Sequence, residues 1–450
     1  MAGLDTLPPG PPLPAFIQTA LMLRWWSAAA FACRRRYGDV FTVRLAGFGT
    51  GVYLANPDDI KAVFAGDPRI FHAGEANSVL SGVLGRSSVL VLDEDLHRDR
   101  RRLMLAPFHR EAVARQEPLI AEITAANIAG WPVGTEFAVS ERMSQITLEV
   151  ILRTAIGATD ADRLAALRSV MPRLLRLGSW DTLAVARPRL QRRWPWRSLR
   201  RRIAEADALL YAEIADRRSD PNLADRTDAL AMLVRAADAD GRRMTDLELR
   251  DQLMTLLLAG HDTTATALSW ALERLTRHPE VLAVAVAAAR AAADGDPAGD
   301  EYLDAVARET LRLRPVVFDV GRLLKEPVEV AGYRLPAGVT VIPAIGLVHT
   351  DANQYDDPDE FSPERMLATN PTEATTPPGR AAPAHRWLPF GGGNRRCLGA
   401  NLALTEMRVV LREVLRRVDL VPTSASGERP RPRGVIQHPH RGALIRVRSI

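Results

Sequence analysis

The 450-residue chain predicts a mainly α-helical fold with a minor β region. Three observations carry that prediction. A helical apolar pattern runs from Thr245 to Arg277, about 33 residues and roughly 50 Å if helical throughout. Strand-like segments are short and few, falling in Val40–Leu54, Val328–Ile342 and Val435–Val447. The chain is 47% hydrophobic and 25% charged, the balance of a globular protein rather than a disordered one. No composition shift marks a boundary, so residues 1–450 read as one domain.

Composition also excludes several function classes. Net charge is +5, but of 59 basic residues only Lys61 and Lys325 are lysine. Heavy use of arginine and alanine matches a GC-rich coding bias, so the basic balance is no argument for nucleic acid, and no nucleic-acid partner is expected. The two cysteines, Cys33 and Cys397, can form neither a disulfide framework nor a Cys-x-x-Cys zinc site. They fit a reducing compartment. Met1 to Pro14 is proline-rich and lacks a secretory signal's basic start and apolar run. A cytoplasmic protein is expected.

Phe16 to Cys33 is apolar but is interrupted by Gln18 and Arg24, too often for a spanning helix. It reads as an amphipathic first helix packed on the body, or as a segment lying on a membrane surface with Trp25 and Trp26 as interfacial anchors. Val40–Leu54 reads as a hairpin turning at Gly47-Phe48-Gly49. Asn56-Pro57-Asp58 caps a short helix to Ala65. Phe71 to Leu92 is apolar, rich in Gly and Ser, and without clear period. Asp95 to Arg102 begins a helix on which His97 and Arg101, four apart, share a face; a solvated basic face is the ordinary meaning of such a run.

From Glu111 to about Arg217 the pattern is mostly helical, broken at Gly130–Gly134 and resuming over Val139–Ile156. Leu164 to Arg202 sets Trp180, Trp194 and Trp196 among arginines, with Pro188 and Pro195 as breakers. It suits either an exposed connector or a loop touching a membrane surface. Thr245-Asp246-Leu247-Glu248 is a capping box opening the long helix, which His278-Pro279 ends. In its middle, Gly260 and the pair Thr263-Thr264 weaken the helix. Thr263 can bond back to the carbonyl of Ala259 and distort the helix, opening a small groove beside Ala259 and Gly260. Tyr302 to Arg314 forms the next helix, on which Glu309 and Arg312 can pair. Val328–Ile342 reads as a second hairpin. Asp351 to Leu388 is a long Pro-, Asp- and Thr-rich connection, with Pro371 to Pro383 as an exposed insertion. Val435–Val447 reads as a last hairpin.

Phe390-Gly391-Gly392-Gly393-Asn394-Arg395-Arg396-Cys397-Leu398-Gly399 is the most specific stretch. Three consecutive glycines make an irregular loop whose backbone must approach something closely. The loop delivers Cys397 to the start of an amphipathic segment, Leu398 to Arg417, where the helix dipole favours a thiolate. Arg395 and Arg396 suit an anionic group nearby. A buried free cysteine is one outcome. Haem iron held by sulfur, with a propionate on an arginine, is the ligand these features fit together.

Phe390, Gly393, Arg395, Cys397 and Gly399 fill the fixed positions of F-x-x-G-x-R-x-C-x-G, and the stretch resembles the haem-ligand signature of the cytochrome P450 family. Four further motifs resemble the family's in the same order. The resemblance implies the family's fold, with haem b (iron protoporphyrin IX) between the long central helix and the cysteine-loop helix. It implies Cys397 as the axial iron ligand, with Phe390, Gly391, Gly399, Ala259 and Gly260 against the cofactor and His97, Arg101, Arg322 and Arg395 on its propionates. Ala259-Gly260-His261-Asp262-Thr263-Thr264 resembles the oxygen-activation motif: Thr263 hydrogen-bonds the oxygen being activated and Asp262 relays protons inward. His261 occupies that motif's variable position and is given no chemistry. Glu309, Arg312 and Arg365, from Glu-x-x-Arg and Pro363-Glu364-Arg365, form a structural network. Arg100 and Arg102 are left to meet a redox partner.

The implied reaction inserts one atom of O2 into a C–H or C=C bond of an apolar small molecule. Electrons are expected from a separate ferredoxin and ferredoxin reductase, because no such domain follows the cysteine helix. A monomer is expected, with peripheral contact to the inner face of the membrane left open. A peroxide-using peroxygenase or an isomerase, and a non-catalytic haem-based ligand-binding protein, are the alternatives. The Asp262-Thr263 pair argues against both.

Overall fold

The computed structural model describes residues 7–158, 160–175, 196–238, 240–367 and 386–450. The expectations for Trp180, Trp194, Pro188 and Pro195, and for the insertion at Pro371–Pro383, fall outside the described residues.

The principal helices are α1 (Ala15–Tyr37), α2 (Pro57–Ala65), α3 (Glu94–Met104), α4 (Glu117–Ile128), α5 (Ser140–Ile151), α6 (Ala161–Leu175), α7 (Arg197–Arg218), α8 (Ala229–Arg235), α9 (Asp246–Arg277), α10 (Pro279–Ala293), α11 (Pro297–Leu313) and α12 (Ala400–Arg417). The strands are β1 (Val40–Leu45), β2 (Gly49–Leu54), β3 (Phe71–His72), β4 (Glu136–Ala138), β5 (Arg322–Leu324), β6 (Val328–Val330), β7 (Tyr333–Leu335), β8 (Thr340–Pro343), β9 (Asp419–Leu420), β10 (Pro430–Arg433), β11 (Ile436–Pro439) and β12 (Leu444–Ser449). Local chemistry sets many of the ends. Asn56 Oδ1 accepts the Asp58 N–H at 2.8 Å ahead of Pro57. Thr245 and Glu248 close a reciprocal box: the Glu248 N–H reaches Thr245 Oγ1 at 3.3 Å, and the Thr245 N–H reaches Glu248 Oε2 at 2.8 Å. Asp296 caps α11 through the Ala298 N–H at 2.9 Å.

The chain forms two compact units. The sheet unit comprises residues 1–76, 270–397 and 422–441. Its five-stranded sheet has the order β1-β2-β8-β5-β3, with β2 and β8 parallel and the other neighbours antiparallel. One face of the hairpin packs on α1 through Phe41, Val43 and Tyr53 against Met22 and Ala30. Two of its hairpins differ from the sequence reading. β6 pairs with β7, but β8 leaves them for β2 and β5, because Pro336 lacks an N–H and Gly338 (φ +85°) turns the chain away. Ile436–Pro439 pairs back onto β10, not forward onto β12.

The helical unit comprises residues 77–269, 398–421 and 442–450. It holds α3 to α8, α12 and all of α9 up to Ser269, around an apolar core that includes Leu152, Leu210, Leu253, Leu257 and Met254. Its small sheet is β4-β12-β9. β12 therefore pairs with β4 and β9, and the expected hairpin over Val435–Val447 is divided between the units after the turn at Gly442 (φ +80°). Helix α9 is continuous over its 32 residues, so the expected distortion at Thr263 does not interrupt it.

Among the described residues no helix is long and apolar enough to cross a membrane. In α1, Trp25 leaves helical geometry (φ −139°, ψ 47°) and kinks the helix.

Candidate active site

On the sheet unit, the site is built around the cysteine loop. The Cys397 N–H donates to the Phe390 carbonyl at 2.9 Å, and the Gly391 N–H donates to the Leu388 carbonyl at 2.9 Å. The Leu388 N–H donates in turn to His349 Nε2 at 2.8 Å. His349 is fully buried, and burial pushes its imidazole down to about 3, so it stays a neutral acceptor for this anchor. Trp387 braces the loop edge-on against Phe390 at 5.8 Å between ring centres. The thiol of Cys397 is exposed, which sets aside the buried free cysteine.

The glycines have a specific partner. A Cβ on Gly393 (φ +63°) would lie 1.9 Å from the Phe64 carbonyl oxygen, and one on Gly392 would lie 2.5 Å from the Phe64 ring. The close approach inferred for this loop is thus to the end of α2. Gly391 (φ +65°) and Gly399 have open space where a side chain would be. Phe64 also carries Arg322, whose guanidinium lies 5.4 Å from the ring centre. One aromatic ring therefore places Arg322 and the cysteine loop together, while Arg395 sits half-buried within the loop itself.

The ion network behind the loop is complete. Arg312 donates to both Glu309 oxygens at 2.8 Å, and Arg365 Nε donates to Glu309 Oε1 at 3.0 Å. Arg312 also satisfies the carbonyls of His349 and Pro358 at 2.7 Å and that of Glu360 at 3.0 Å. Burial pushes the Glu309 carboxyl up, and its two arginines pull against that. With the donors of Arg312 shared between the Glu309 carboxylate and three backbone carbonyls, this trio ties α11 to the chain leading to the cysteine loop.

On the helical unit, the site is the middle of α9. Residues 251–257 and 264–276 are buried, and the stretch between them opens: Ala259 is exposed, and Gly260, Asp262 and Thr263 are half-buried. Thr263 Oγ1 donates to the Ala259 carbonyl at 2.6 Å, as the four-residue spacing predicts. Gly260 serves packing: a Cβ there would lie 3.2 Å from Ile151 Cδ1, so glycine lets α5 close on α9. His261 points the other way, its Nε2 2.9 Å from Ser144 Oγ, while Thr147 donates to the His261 carbonyl at 3.1 Å. Burial lowers its imidazole to about 4, with the charge of Asp262 opposing. It is neutral and structural. His97 is buried on α3 and Arg101 half-buried beside it. Arg100 does not face a partner: it is buried and ion-paired with Glu248 of the α9 capping box.

Phe64, His349 and Trp387 are supporting residues that sequence reading missed. No local signal marks them, because an aromatic near a helix end and an isolated histidine have many ordinary roles.

The donor set fits haem. It offers an exposed soft thiol in a loop pinned by backbone hydrogen bonds, with arginines beside it, and among the described residues no cluster of His, Asp or Glu that could hold a metal includes the cysteine. On the other unit, the middle of the helix opens at Ala259, Gly260, Asp262 and Thr263.

Comparisons with known proteins identify the family. The family model "Cytochrome P450" matches residues 8–446. "Putative cytochrome P450 135B1" of Mycobacterium tuberculosis is 67% identical over 443 residues, covering 98% of this chain and 92% of the relative. "Putative cytochrome P450 135A1" of the same species is 39% identical, over 98% of this chain and 95% of the relative. Among solved structures, "Retinoic acid bound cyanobacterial CYP120A1" shares the fold with a TM-score of 0.83 at 24% identity, covering 99% of each chain. A thiol-bearing glycine loop, an intact Glu-Arg-Arg network and a family match across nearly the whole length lead to one conclusion: this chain belongs to the cytochrome P450 family, and is a haem-dependent monooxygenase of bacterial type.

Proposed function

We propose that this protein inserts one atom of O2 into an apolar small molecule, with haem b held by the Cys397 sulfur and electrons delivered by a separate ferredoxin and its reductase. The observation that carries the reading is the exposed Cys397 thiol in a loop whose backbone is fixed at both ends. When bound, the haem would supply oxygen activation, and the Cys397 thiolate that would hold it would supply electron density to the iron. The chain's own residues do the rest. Arg322, Arg395, His97 and Arg101 neutralise propionate charge. Phe390 offers an aromatic contact, Gly391 and Gly399 leave open space, and Ala259 and Gly260 offer small residues on the α9 face. Thr263 holds a proton at Oγ1, and Asp262 passes protons to it from solvent. An apolar substrate suits the half-buried Leu80, Leu90 and Leu258 of the helical unit.

Contact with the membrane's inner face is part of the same proposal, through α1 and not through Trp26. Trp26 Nε1 donates to Asp319 Oδ2 at 2.7 Å and faces inward. Phe16, Ala20 and Leu23 follow helical spacing and are exposed, and Leu13 just before the helix is exposed too. Thr19, on the same stripe, accepts the Ala46 N–H at 2.7 Å and draws the β1–β2 turn alongside. Phe16, Leu23 and Phe48 are 67%, 62% and 57% exposed, with Arg24 and Arg44 exposed nearby and no acidic residue in α1. Apolar side chains among arginines suit an anionic lipid surface.

The test is the dithionite-reduced CO complex of Cys397→Ser. The wild type is expected to give a thiolate-type spectrum and to turn over with surrogate ferredoxin and reductase, and the variant to lose that spectrum. An unchanged CO spectrum in Cys397→Ser would show that another residue ligates the iron.

A further inference from the structure

Within the helical unit, the segment Ser87–Leu92 is fastened to the N-terminal half of α9 by the side chains of Asp251, Gln252 and Thr255. Gln252 makes two of the bonds: its Oε1 accepts the Val89 N–H at 3.0 Å, and its Nε2 donates to the Ser87 carbonyl at 2.5 Å. Asp251 Oδ2 accepts the Ser87 N–H at 2.9 Å. The Thr255 hydroxyl donates to the Asp251 carbonyl at 2.6 Å and so accepts from Ser88 Oγ at 2.7 Å. Ser88 Oγ then accepts the Leu90 N–H at 3.2 Å. Arg250 extends the contact to the carbonyls of Val83 and Leu84 at 3.2 and 3.1 Å. Ser88, Val89, Asp251, Gln252 and Thr255 are all buried, where an unmet N–H or carbonyl is costly. Gly85 (φ +91°) makes room for the Asp251 carboxylate, since a Cβ there would fall 2.0 Å from Asp251 Oδ1.

Helix geometry fixes the face on which this happens. Gln252 and Thr263 are eleven residues apart, three turns and about 20° around the axis. Ala259 lies about 10 Å beyond Gln252 and about 20° to the other side. Thr255 lies about 40° from Ala259, so the two central fastening residues, Gln252 and Thr255, share the face of the opening in α9, while Arg250 lies on the opposite side. The same segment ends in a turn in which the Val91 and Leu92 N–H groups both donate to the Ser88 carbonyl, at 3.0 and 3.2 Å. That turn leaves Leu90, Val91 and Leu92 half-buried.

We propose that Gln252 and Thr255, supported by Asp251 and Arg250, are positioning residues that make Leu90–Leu92 a fixed apolar wall of the substrate chamber. This chain then selects substrate by shape against a rigid boundary, and does not admit bulky ligands by opening this segment. The inference rests on reading the Ala259–Thr263 face as the oxygen side.

Two measurements on the haem-loaded protein test it. Amide exchange on the wild type reads the clamp directly: the Ser87 and Val89 amides are expected to exchange slowly, and Gln252→Leu and Thr255→Val to speed them about tenfold or more. Optical titration with 1-phenylimidazole and with clotrimazole reads its consequence. Gln252→Leu and Thr255→Val are expected to tighten the bulky azole about fivefold relative to the small one, with Thr255→Ser, which keeps the hydroxyl, restoring the wild-type ratio. Loss of packing alone would not change that ratio and be rescued by a hydroxyl. Wild-type Ser87 and Val89 amides exchanging as fast as an exposed loop would overturn the clamp without any variant. So would an exchange rate and azole ratio that stay within about twofold in both variants. Absence of any azole spectrum in the wild type would instead sink the haem reading, with the exchange data still deciding the clamp.

Discussion

Gly393 and Gly391 carry the same backbone requirement but different surroundings, and that separates strain from packing at single residues. Both have positive φ, +63° and +65°, but only Gly393 has the Phe64 carbonyl 1.9 Å from its missing Cβ. Gly391→Ala is expected to cost about 1 kcal/mol for the left-handed backbone alone. Gly393→Ala must also push α2 away, and is expected to cost at least about 2–3 kcal/mol and to lower haem content on purification. Thermal melts of the two variants check this; equal losses would mean that Phe64 yields freely. Thr263 is the other informative residue. Its hydroxyl spends its proton on the Ala259 carbonyl at rest, so it is available to accept before it donates. Thr263→Ala is expected to keep the thiolate CO spectrum while diverting most electrons to peroxide. Peroxide yield per NADPH consumed is the measurement, and tight coupling in the variant would remove Thr263 from proton delivery.

Helix α1 and strand β2 are joined by a titratable group. Asp319 accepts from Trp26 Nε1 at 2.7 Å and from the Tyr53 hydroxyl at 3.1 Å. Burial pushes its carboxyl up to about 6, against those two bonds. A carboxyl with a raised pKa in the folded state takes up its proton before the unfolded chain does as pH falls. Its stabilising contribution is full below about 4 and is lost as pH rises through about 6, up to about 3 kcal/mol in total. Asp319→Asn keeps an oxygen for Trp26 and removes the titration. Relative to wild type, the variant is expected to gain stability above pH 6 and not below pH 4. The buried histidines His261 and His349 act with the opposite sign, so the comparison is made as a difference between the two proteins at each pH. A difference in denaturation free energy that stays flat from pH 4 to 7 would show that Asp319 is not protonated in this range.

At the scale of the molecule, net charge and apolar exposure act together. The chain carries +5, and its exposed apolar stripe lies on a helix with no acidic residue. Each arginine near an anionic bilayer contributes about 1 kcal/mol, and each inserted apolar side chain roughly 1–2 kcal/mol. The triple variant Phe16→Ser, Leu23→Ser, Phe48→Ser is therefore expected to bind vesicles containing phosphatidylserine at least tenfold more weakly than wild type, without loss of the CO spectrum. Co-sedimentation with vesicles checks it. Equal binding by the variant, or no binding by the wild type, would leave α1 as ordinary packing.

Local chemistry made several features legible in sequence. Capping residues named the starts of α2 and α9, because a cap is satisfied by neighbours within three residues. The four-residue spacing named the Thr263–Ala259 bond, and the three-residue spacing named Glu309–Arg312, because helix periodicity fixes both. The glycine run and Cys397 were equally plain, since few backbones need three glycines before a cysteine. What sequence could not specify was which partner each surface would meet. The glycines packed on Phe64, Arg100 went to Glu248, and Trp26 turned in toward Asp319. β8 chose β2 and β5 over β7, and Ser87–Leu92, without period of its own, took its shape from Gln252 and Thr255 more than 160 residues away. Periodicity and capping are decided by residues a few positions apart, and so the sequence by itself determined the helices, the cysteine loop and the chemistry available to them. Strand partners, buried ion pairs and the fixed wall depend on which distant groups can satisfy one another once water is excluded, and only the tertiary structure decided those.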